Sequence, residues 1–239
     1  MRSSVLILAG MLTACPPKPI TEITITGTVF DGPDSIDGLS EATVELRTVD
    51  GTLMRTVSAN SSGQFAIQAP TGQPIFMVTN GFDHVPTSFT FNVGTVDVAV
   101  PDGVVWARRT SILAEIQADF AGCNNAESAQ TTIDGDVRIY LGDVEEDDEL
   151  PIVTTALVYI DNEDGTLDAA CYLDDSGASA PDANVTGMTG RYALFDAREG
   201  PRVLTVTYDA DGTTITNELL VYVPDGGDVP LYPTLVSFL

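Results

Sequence analysis

The stretch SGQFAI at residues 62–67 joins a turn to the strand that follows it. A Ser-Gly pair is typical of a tight turn, and Phe65 and Ile67 lie two positions apart after it, so in a strand they share one face. The same pattern returns as TGRYAL at residues 189–194. A turn followed by a strand of period two, found twice, predicts an all-β protein built from two similar units.

The surrounding sequence extends this pattern into a repeat. Nine residues separate Ala42 from Gly51, and nine separate Ala156 from Gly165. The corresponding blocks lie at residues 25–29, 42–46, 50–53, 62–67 and 75–78 of the first copy and at residues 133–137, 156–160, 164–167, 189–194 and 203–206 of the second. Short strands at close intervals, bounded by glycine turns and without helical periodicity, predict two tandem antiparallel β-sandwiches.

Alternation along each block predicts the residues that face the two cores. In the first unit these are Val44, Leu46, Phe65, Ile67, Phe76 and Val78, and in the second they are Val158, Ile160, Tyr192, Leu194, Leu204 and Val206. We interpret the aromatic residue after each glycine turn as a core residue and not as a ligand platform.

The order of these blocks resembles the carboxypeptidase regulatory-like domain, a transthyretin-like (prealbumin-like, Ig-like) β-sandwich. The first copy is similar over residues 22–100, and the second is similar at its turns and strands but carries insertions. The resemblance implies an accessory module without catalytic residues, because the zinc ligands of the carboxypeptidases belong to a separate catalytic domain.

The first residues predict export and a lipid anchor. Arg2 and an apolar stretch at residues 4–12 precede LTAC at residues 12–15, which resembles a bacterial lipoprotein signal peptide ending in a lipobox. The apolar stretch is far shorter than the roughly 20 residues of a membrane span. The resemblance implies removal of residues 1–14, acylation of Cys15, a Pro-rich tether at residues 15–21 and, because Pro16 is not aspartate, an outer-membrane protein at its periplasmic or surface face. The alternative is an ordinary secretory signal.

Charge excludes one class of partner. The chain has 35 acidic and 10 basic residues, which gives a net charge of −25. Phosphate backbones are bound by clustered Lys and Arg, so we expect no nucleic-acid partner.

The second copy departs from the first by two insertions, six extra residues between Gly135 and Ala156 and thirteen between Gly165 and Gly190. The later insertion contains Cys171, and Cys123 lies in the connection at residues 102–130. In an exported protein this pair predicts a disulfide that ties the connection to the second unit, residues 131–239.

The connection itself has two possible structures. Ile112, Leu113, Ile116 and Phe120 fall on one helical face, with Thr110 or Ser111 at the N-cap and Gly122 at the stop, which predicts a short helix over residues 110–122. We expect Trp106 to be buried beside it. The alternative is an extended strand over residues 104–116.

Four oxygen-bearing residues suggest a calcium site. Asp161, Asn162, Asp164 and Asp168 surround Gly165 in a pattern similar to calcium-binding turns. Ile160 stands where a further ligand belongs, and an Asp-Gly hairpin turn explains the same sequence without an ion. Calcium is therefore a weak candidate, and we expect no other cofactor.

Catalytic motifs are absent from the sequence. His84 is the only histidine, and there is no nucleophile elbow, phosphate loop or zinc-protease motif. We therefore predict a non-catalytic envelope lipoprotein whose two sandwiches bind protein or glycan. The alternative is a structural spacer or envelope-assembly component without its own ligand.

Overall fold

The computed structural model describes residues 21–140, 150–162 and 166–237. Cys15, the acidic run at residues 143–149 and Asp164 lie outside the described residues. The first strands are β1 (Glu22–Thr28), β2 (Thr43–Arg47), β3 (Leu53–Ser58), β4 (Gln64–Pro70), β5 (Pro74–Asn80), β6 (His84–Val85), β7 (Thr87–Asn92), β8 (Val98–Ala99) and β9 (Arg108–Arg109). Helix α1 (Thr110–Asp119) and a 3-10 helix (Ala126–Ser128) follow. The later strands are β10 (Thr132–Tyr140), β11 (Leu157–Asp161), β12 (Leu167–Ala169), β13 (Cys171–Leu173), β14 (Ser179–Ala180), β15 (Arg191–Phe195), β16 (Gly200–Ala210), β17 (Thr213–Val223) and β18 (Asp228–Ser237). The predicted all-β fold is confirmed.

The first sandwich packs the sheet β4-β1-β8 against the strands β3-β2-β5-β7. Its core lies between the two layers, where alternate side chains of β1, β2, β4 and β5 meet. Val44, Leu46, Phe65 and Ile67 are buried there, as the alternation predicts.

The second sandwich has the same strand order. Strands β15-β10-β18 correspond to β4-β1-β8, and β12-β11-β16-β17 correspond to β3-β2-β5-β7. Each unit also contains one parallel pair, β1 with β8 and β10 with β18, which the purely antiparallel prediction lacks. The reason is that the last strand of each unit crosses to the opposite sheet and joins the first strand there. All six predicted core residues of this unit lie in its buried cluster.

One sheet runs through both sandwiches. Its nine strands follow the order β14-β13-β15-β10-β18-β7-β5-β2-β3, and β18 meets β7 at the junction. The prediction that Phe76 and Val78 face the first core is wrong: Ile75 and Met77 do. Phe76 and Val78 point to the other side of β5 and are buried against Tyr222 of β17. Both faces of β5 are covered. Its apolar residues are therefore continuous, and their order does not reveal which of them face the core of the first sandwich.

The connection is a helix and not a strand. Leu113, Ile116 and Phe120 are buried, but Ile112 is 38% exposed, so it does not belong to the apolar face. The predicted N-cap is also wrong, because Arg109 occupies that position with extended backbone and no side-chain cap. Trp106 is buried as expected, with its ring 5.6 Å from that of Phe89.

Helix α1 begins at the first sandwich and packs on the second. Its Thr110 amide donates to the Asp83 carbonyl at 3.1 Å, while Ile116 and Phe120 contact Leu173 and Ala193. No helix within the described ranges is long and apolar enough to cross a membrane.

Candidate functional site

A cleft of about 640 Å³ opens beside the disulfide of the second sandwich. One wall is the segment after α1, with Asn124 and Asn125. Leu167 and Asp168 of β12 also line the cleft, as do Asp182 and Asn184 from the later part of the same insertion. The cleft therefore combines the connection with the insertion of the second sandwich.

The disulfide joins these two parts of the chain. Cys123 and Cys171 are bonded, with their Cα atoms 6.2 Å apart, which confirms the predicted pair. Cys123 is buried next to the two asparagines, and Cys171 begins β13, which follows β12. Cys123 belongs to the buried cluster beneath α1, and half-buried Cys171 packs against that cluster, so the bond fixes the connection to the sheet.

The cleft offers polar groups above an apolar base. Asn124, Asn125, Asp182 and Asn184 are exposed and can donate or accept hydrogen bonds. None of the three asparagines was predicted from the sequence. The Asn-Asn pair directly after a cysteine is a signal that could have indicated two of them. Asn125 adopts the left-handed conformation with φ 66°, which turns the chain at the rim of the cleft.

Tyr172 and Phe195 also line the cleft. The Tyr172 hydroxyl donates to the Val158 carbonyl at 3.2 Å and accepts from the Val158 amide at 2.8 Å. Burial raises the pKa of Tyr172 to about 12, so its phenol stays protonated and is a structural group. Half-buried Phe195 meets the Phe120 ring edge-on at 5.9 Å.

The calcium candidates do not share one face. Strands β11 and β12 form a hairpin in which Asp161 lies opposite Leu167, and Ile160 lies opposite Asp168. Because neighbouring residues of a strand point to opposite faces, Asp161 and Asp168 line different clefts. The Asn162 side chain donates to the Thr166 hydroxyl at 3.2 Å, across the turn of this hairpin.

Metal binding by these residues stays a prediction. Within the described parts of the chain, no group of three or more His, Cys, Asp or Glu side chains is arranged to hold a metal ion.

His84 belongs to a network that pins two loops of the first sandwich. Its Nε2 lies 2.7 Å from Asp31 Oδ1, and its Nδ1 lies 2.6 Å from the Phe82 carbonyl oxygen. Arg109 also binds the Asp31 carboxylate. Hydrogen bonds from Arg109, supported by His84, lower the pKa of Asp31 to about 2 although partial burial opposes the shift. These contacts give the histidine a structural role.

A buried charge cluster joins the two sandwiches. Arg108 Nη1 lies 2.7 Å from Asp134 Oδ1, and Arg108 Nε lies 3.0 Å from Asp228 Oδ2. Both carboxyl groups are fully buried, and Arg108 is 3% exposed. Its guanidinium also lies 5.3 Å from the centre of the Trp106 ring. Burial, with Asp134 nearby, raises the pKa of Asp228 well above its usual range despite the opposing effect of Arg108.

One cation facing two carboxyl groups explains that shift. With both carboxylates ionised the buried cluster would carry a net charge of −1, which desolvation makes costly. A retained proton on the pair removes this charge. This cluster could not be predicted from the sequence, because its three members are separated by long stretches of chain.

Comparisons with known proteins identify no family. No family model matches the chain, and no curated protein matches it. Among solved structures, the Bacillus anthracis TIE protein is 11% identical with a TM-score of 0.32, over 90% of this chain and 34% of that one, so this chain spans about a third of its length. A putative carbohydrate binding protein from Bacteroides uniformis is 10% identical with a TM-score of 0.30, over 85% of this chain and 98% of that one. BcpA, the major pilin subunit of Bacillus cereus, is 9% identical with a TM-score of 0.30, over 86% of this chain and 69% of that one. Similarity at this level supports no functional conclusion.

Proposed function

We propose that this protein is a non-catalytic cell-envelope lipoprotein that binds glycan in the cleft beside the disulfide. The observation that carries the proposal is the composition of that cleft, with amides and carboxylates around apolar side chains. Sugars present hydroxyl groups to such donors and acceptors and C–H faces to apolar surfaces. Asp168 and Asn184 both line the cleft, and each can form hydrogen bonds with a sugar hydroxyl group.

The cleft is suited to binding because its walls are fixed before a ligand arrives. The disulfide holds the segment with Asn124 and Asn125 against the sheet that carries β13. Preorganised walls reduce the conformational entropy that binding would otherwise cost. Reaction chemistry has less support, since the only histidine serves the Asp31 network.

A glycan array followed by calorimetry on the full-length protein tests this proposal. Asp168→Asn and Asn184→Ala should each weaken binding of a glycan hit by about tenfold, the effect of about 1.4 kcal/mol of lost hydrogen bonding. Asp161→Asn is the matched control, because it changes the opposite face of the same hairpin. Absence of any hit, or loss of binding only in the control, would refute the assignment to this cleft.

We further propose that the two sandwiches are copies of a carboxypeptidase regulatory-like module and that Cys15 anchors them to the outer membrane. Their identical strand order supports a repeated module. The lipobox at residues 12–15 supports the anchor. Replacement of Cys15 by Ser should release the protein from the membrane fraction; retention of the variant would contradict the anchor.

A structural role is the second candidate. It is favoured by the joint between the units, where Tyr222 packs on Phe76 with ring centres 5.5 Å apart and Arg47 lies 5.0 Å from the Tyr222 ring. Such a junction would hold the sandwiches as one body. Cross-linking in intact cells distinguishes the two candidates. A structural component should be cross-linked to the same neighbouring proteins in wild type and in Asp168→Asn, the variant expected to weaken glycan binding.

A further inference from the structure

The nine-stranded sheet contains a gap at the junction between the sandwiches. Strands β7 and β18 are neighbours, but the ladder between them consists of one pair, Thr87 with Asp228. Beyond this pair, residues 88–92 remain paired with β5, while β18 follows β10 from Val229 onward. Two parallel strands therefore separate from a common start and leave a wedge between their edges.

Apolar side chains line this wedge. It forms a groove of about 390 Å³, and all lining residues except Ser88 and Thr90 are apolar. The lining comes from residues 88–91 of β7, residues 219–221 of β17, residues 229–231 of β18 and Val104. Consecutive residues of two neighbouring strands line it, so strand edges as well as side-chain faces border the groove.

Ser88 contributes a buried hydroxyl group to the lining of the same groove. Ser88 is 1% exposed, and its Oγ has no hydrogen-bond partner in the part of the chain that the structure describes. A buried polar atom without a partner costs free energy, so this position favours a ligand that brings hydrogen-bonding groups. Thr90 is already engaged, because its hydroxyl donates to the Leu220 carbonyl at 2.9 Å.

We propose that this groove binds an extended apolar peptide, which adds as a strand to the edge of β7. A peptide is favoured because Thr87 and Asp228 already form the first pair of a strand ladder. A further strand beside β7 would extend the sheet from that point. An acyl chain would cover the apolar walls but could not pair with the strand edges. The net charge of −25 further favours a peptide without acidic residues.

Calorimetry with a defined peptide tests the proposal on the full-length protein. The probe is an N-acetylated, C-amidated octapeptide of sequence Lys-Thr-Val-Thr-Val-Thr-Val-Lys. We expect saturable binding, and we expect a peptide with Pro in place of the second Thr to bind at least about tenfold more weakly, because it lacks a ladder N–H. Equal binding of the two peptides would overturn strand addition.

Two protein variants locate the site. Val104→Glu places a charge in the groove and should weaken the probe by about tenfold. Val49→Glu is the matched control, since both valines are 42% exposed and Val49 lies in the turn between β2 and β3. Equal affinities of the two variants would place the peptide elsewhere.

Hydrogen exchange on the wild-type protein gives a readout that does not depend on variant folding. Peptide binding should slow exchange of amides within residues 88–91. Three outcomes would overturn the proposal: unchanged exchange there, saturable binding of laurate without peptide binding, or a dimer in solution that Val104→Glu dissociates. The last two would assign the groove to an acyl chain or to a second copy.

Discussion

Replacement of Arg108 by Met should destabilise the protein strongly at neutral pH and weakly in mild acid. The guanidinium contacts both Asp134 and Asp228, and both carboxyl groups are fully buried. Removing one partner of a buried ion pair costs about 3–5 kcal/mol, because the remaining charge is left uncompensated. Met fills a similar volume, so lost packing adds little.

The pH dependence follows from how the remaining charge is neutralised. Without Arg108, the carboxylate can escape the penalty only by binding a proton. Neutralising a carboxyl group of ordinary pKa, about 3.9, costs about 4 kcal/mol at pH 7 and about 1.5 kcal/mol at pH 5. The free-energy loss caused by Arg108→Met should therefore fall by about 2–3 kcal/mol between these pH values.

Urea unfolding of wild type and variant at pH 5 and pH 7 measures this difference. Asp228→Asn is the matched control with the opposite sign: because burial raises the pKa of Asp228 well above its usual range, this carboxyl group lowers the stability of wild type increasingly as the pH rises, and the amide variant should gain stability relative to wild type between pH 5 and pH 7. A loss for Arg108→Met below about 1 kcal/mol at both pH values would refute the reasoning. So would a larger loss at pH 5 than at pH 7.

Three further perturbations test other parts of the fold. The pKa of Asp31 is lowered to about 2, so its stabilising contribution is complete above about pH 4 and is lost as the pH falls toward 2; Asp31→Asn should lower the melting temperature at pH 6 and flatten its decline in acid. The disulfide closes a sequence separation of 48, so Cys123→Ser with Cys171→Ser should cost about 4 kcal/mol in urea unfolding by the chain-entropy model, and an unchanged midpoint would contradict it. Ser88→Ala removes a buried hydroxyl without a partner in the described structure and should leave stability unchanged or raise it by up to about 1 kcal/mol, whereas a loss above 1 kcal/mol would show that the hydroxyl is paired.

Local sequence was sufficient for the fold class and for most of the core. Strands with one buried face repeat every second residue, so Phe65, Ile67, Tyr192 and Leu194 were assigned correctly from alternation alone. The core residues of β5 were assigned incorrectly, because Phe76 is buried against the other sandwich and neither face of this strand is exposed. A strand buried on both faces lacks the alternating polar residues that would show which side chains face the core.

The candidate site was only partly predictable. The sequence paired Cys123 with Cys171 because the folded region offers no other cysteine. The sequence did not predict that Asn124 and Asn184 line one cleft, because the contacts between distant loops are not visible in local sequence patterns. It also grouped Asp161 with Asp168, which the pleat of the hairpin separates onto opposite faces.

The all-β class, the repeated strand pattern, the charge and the cysteine pair can be read from the sequence alone, because each depends on neighbouring residues or on composition. The way in which the sandwiches join is visible only in the folded protein. The contact of Arg108 with Asp228 and the pairing of Thr87 with Asp228 each join residues more than a hundred positions apart. Desolvation and strand pairing act through space, so their partners are fixed only when the whole chain has folded.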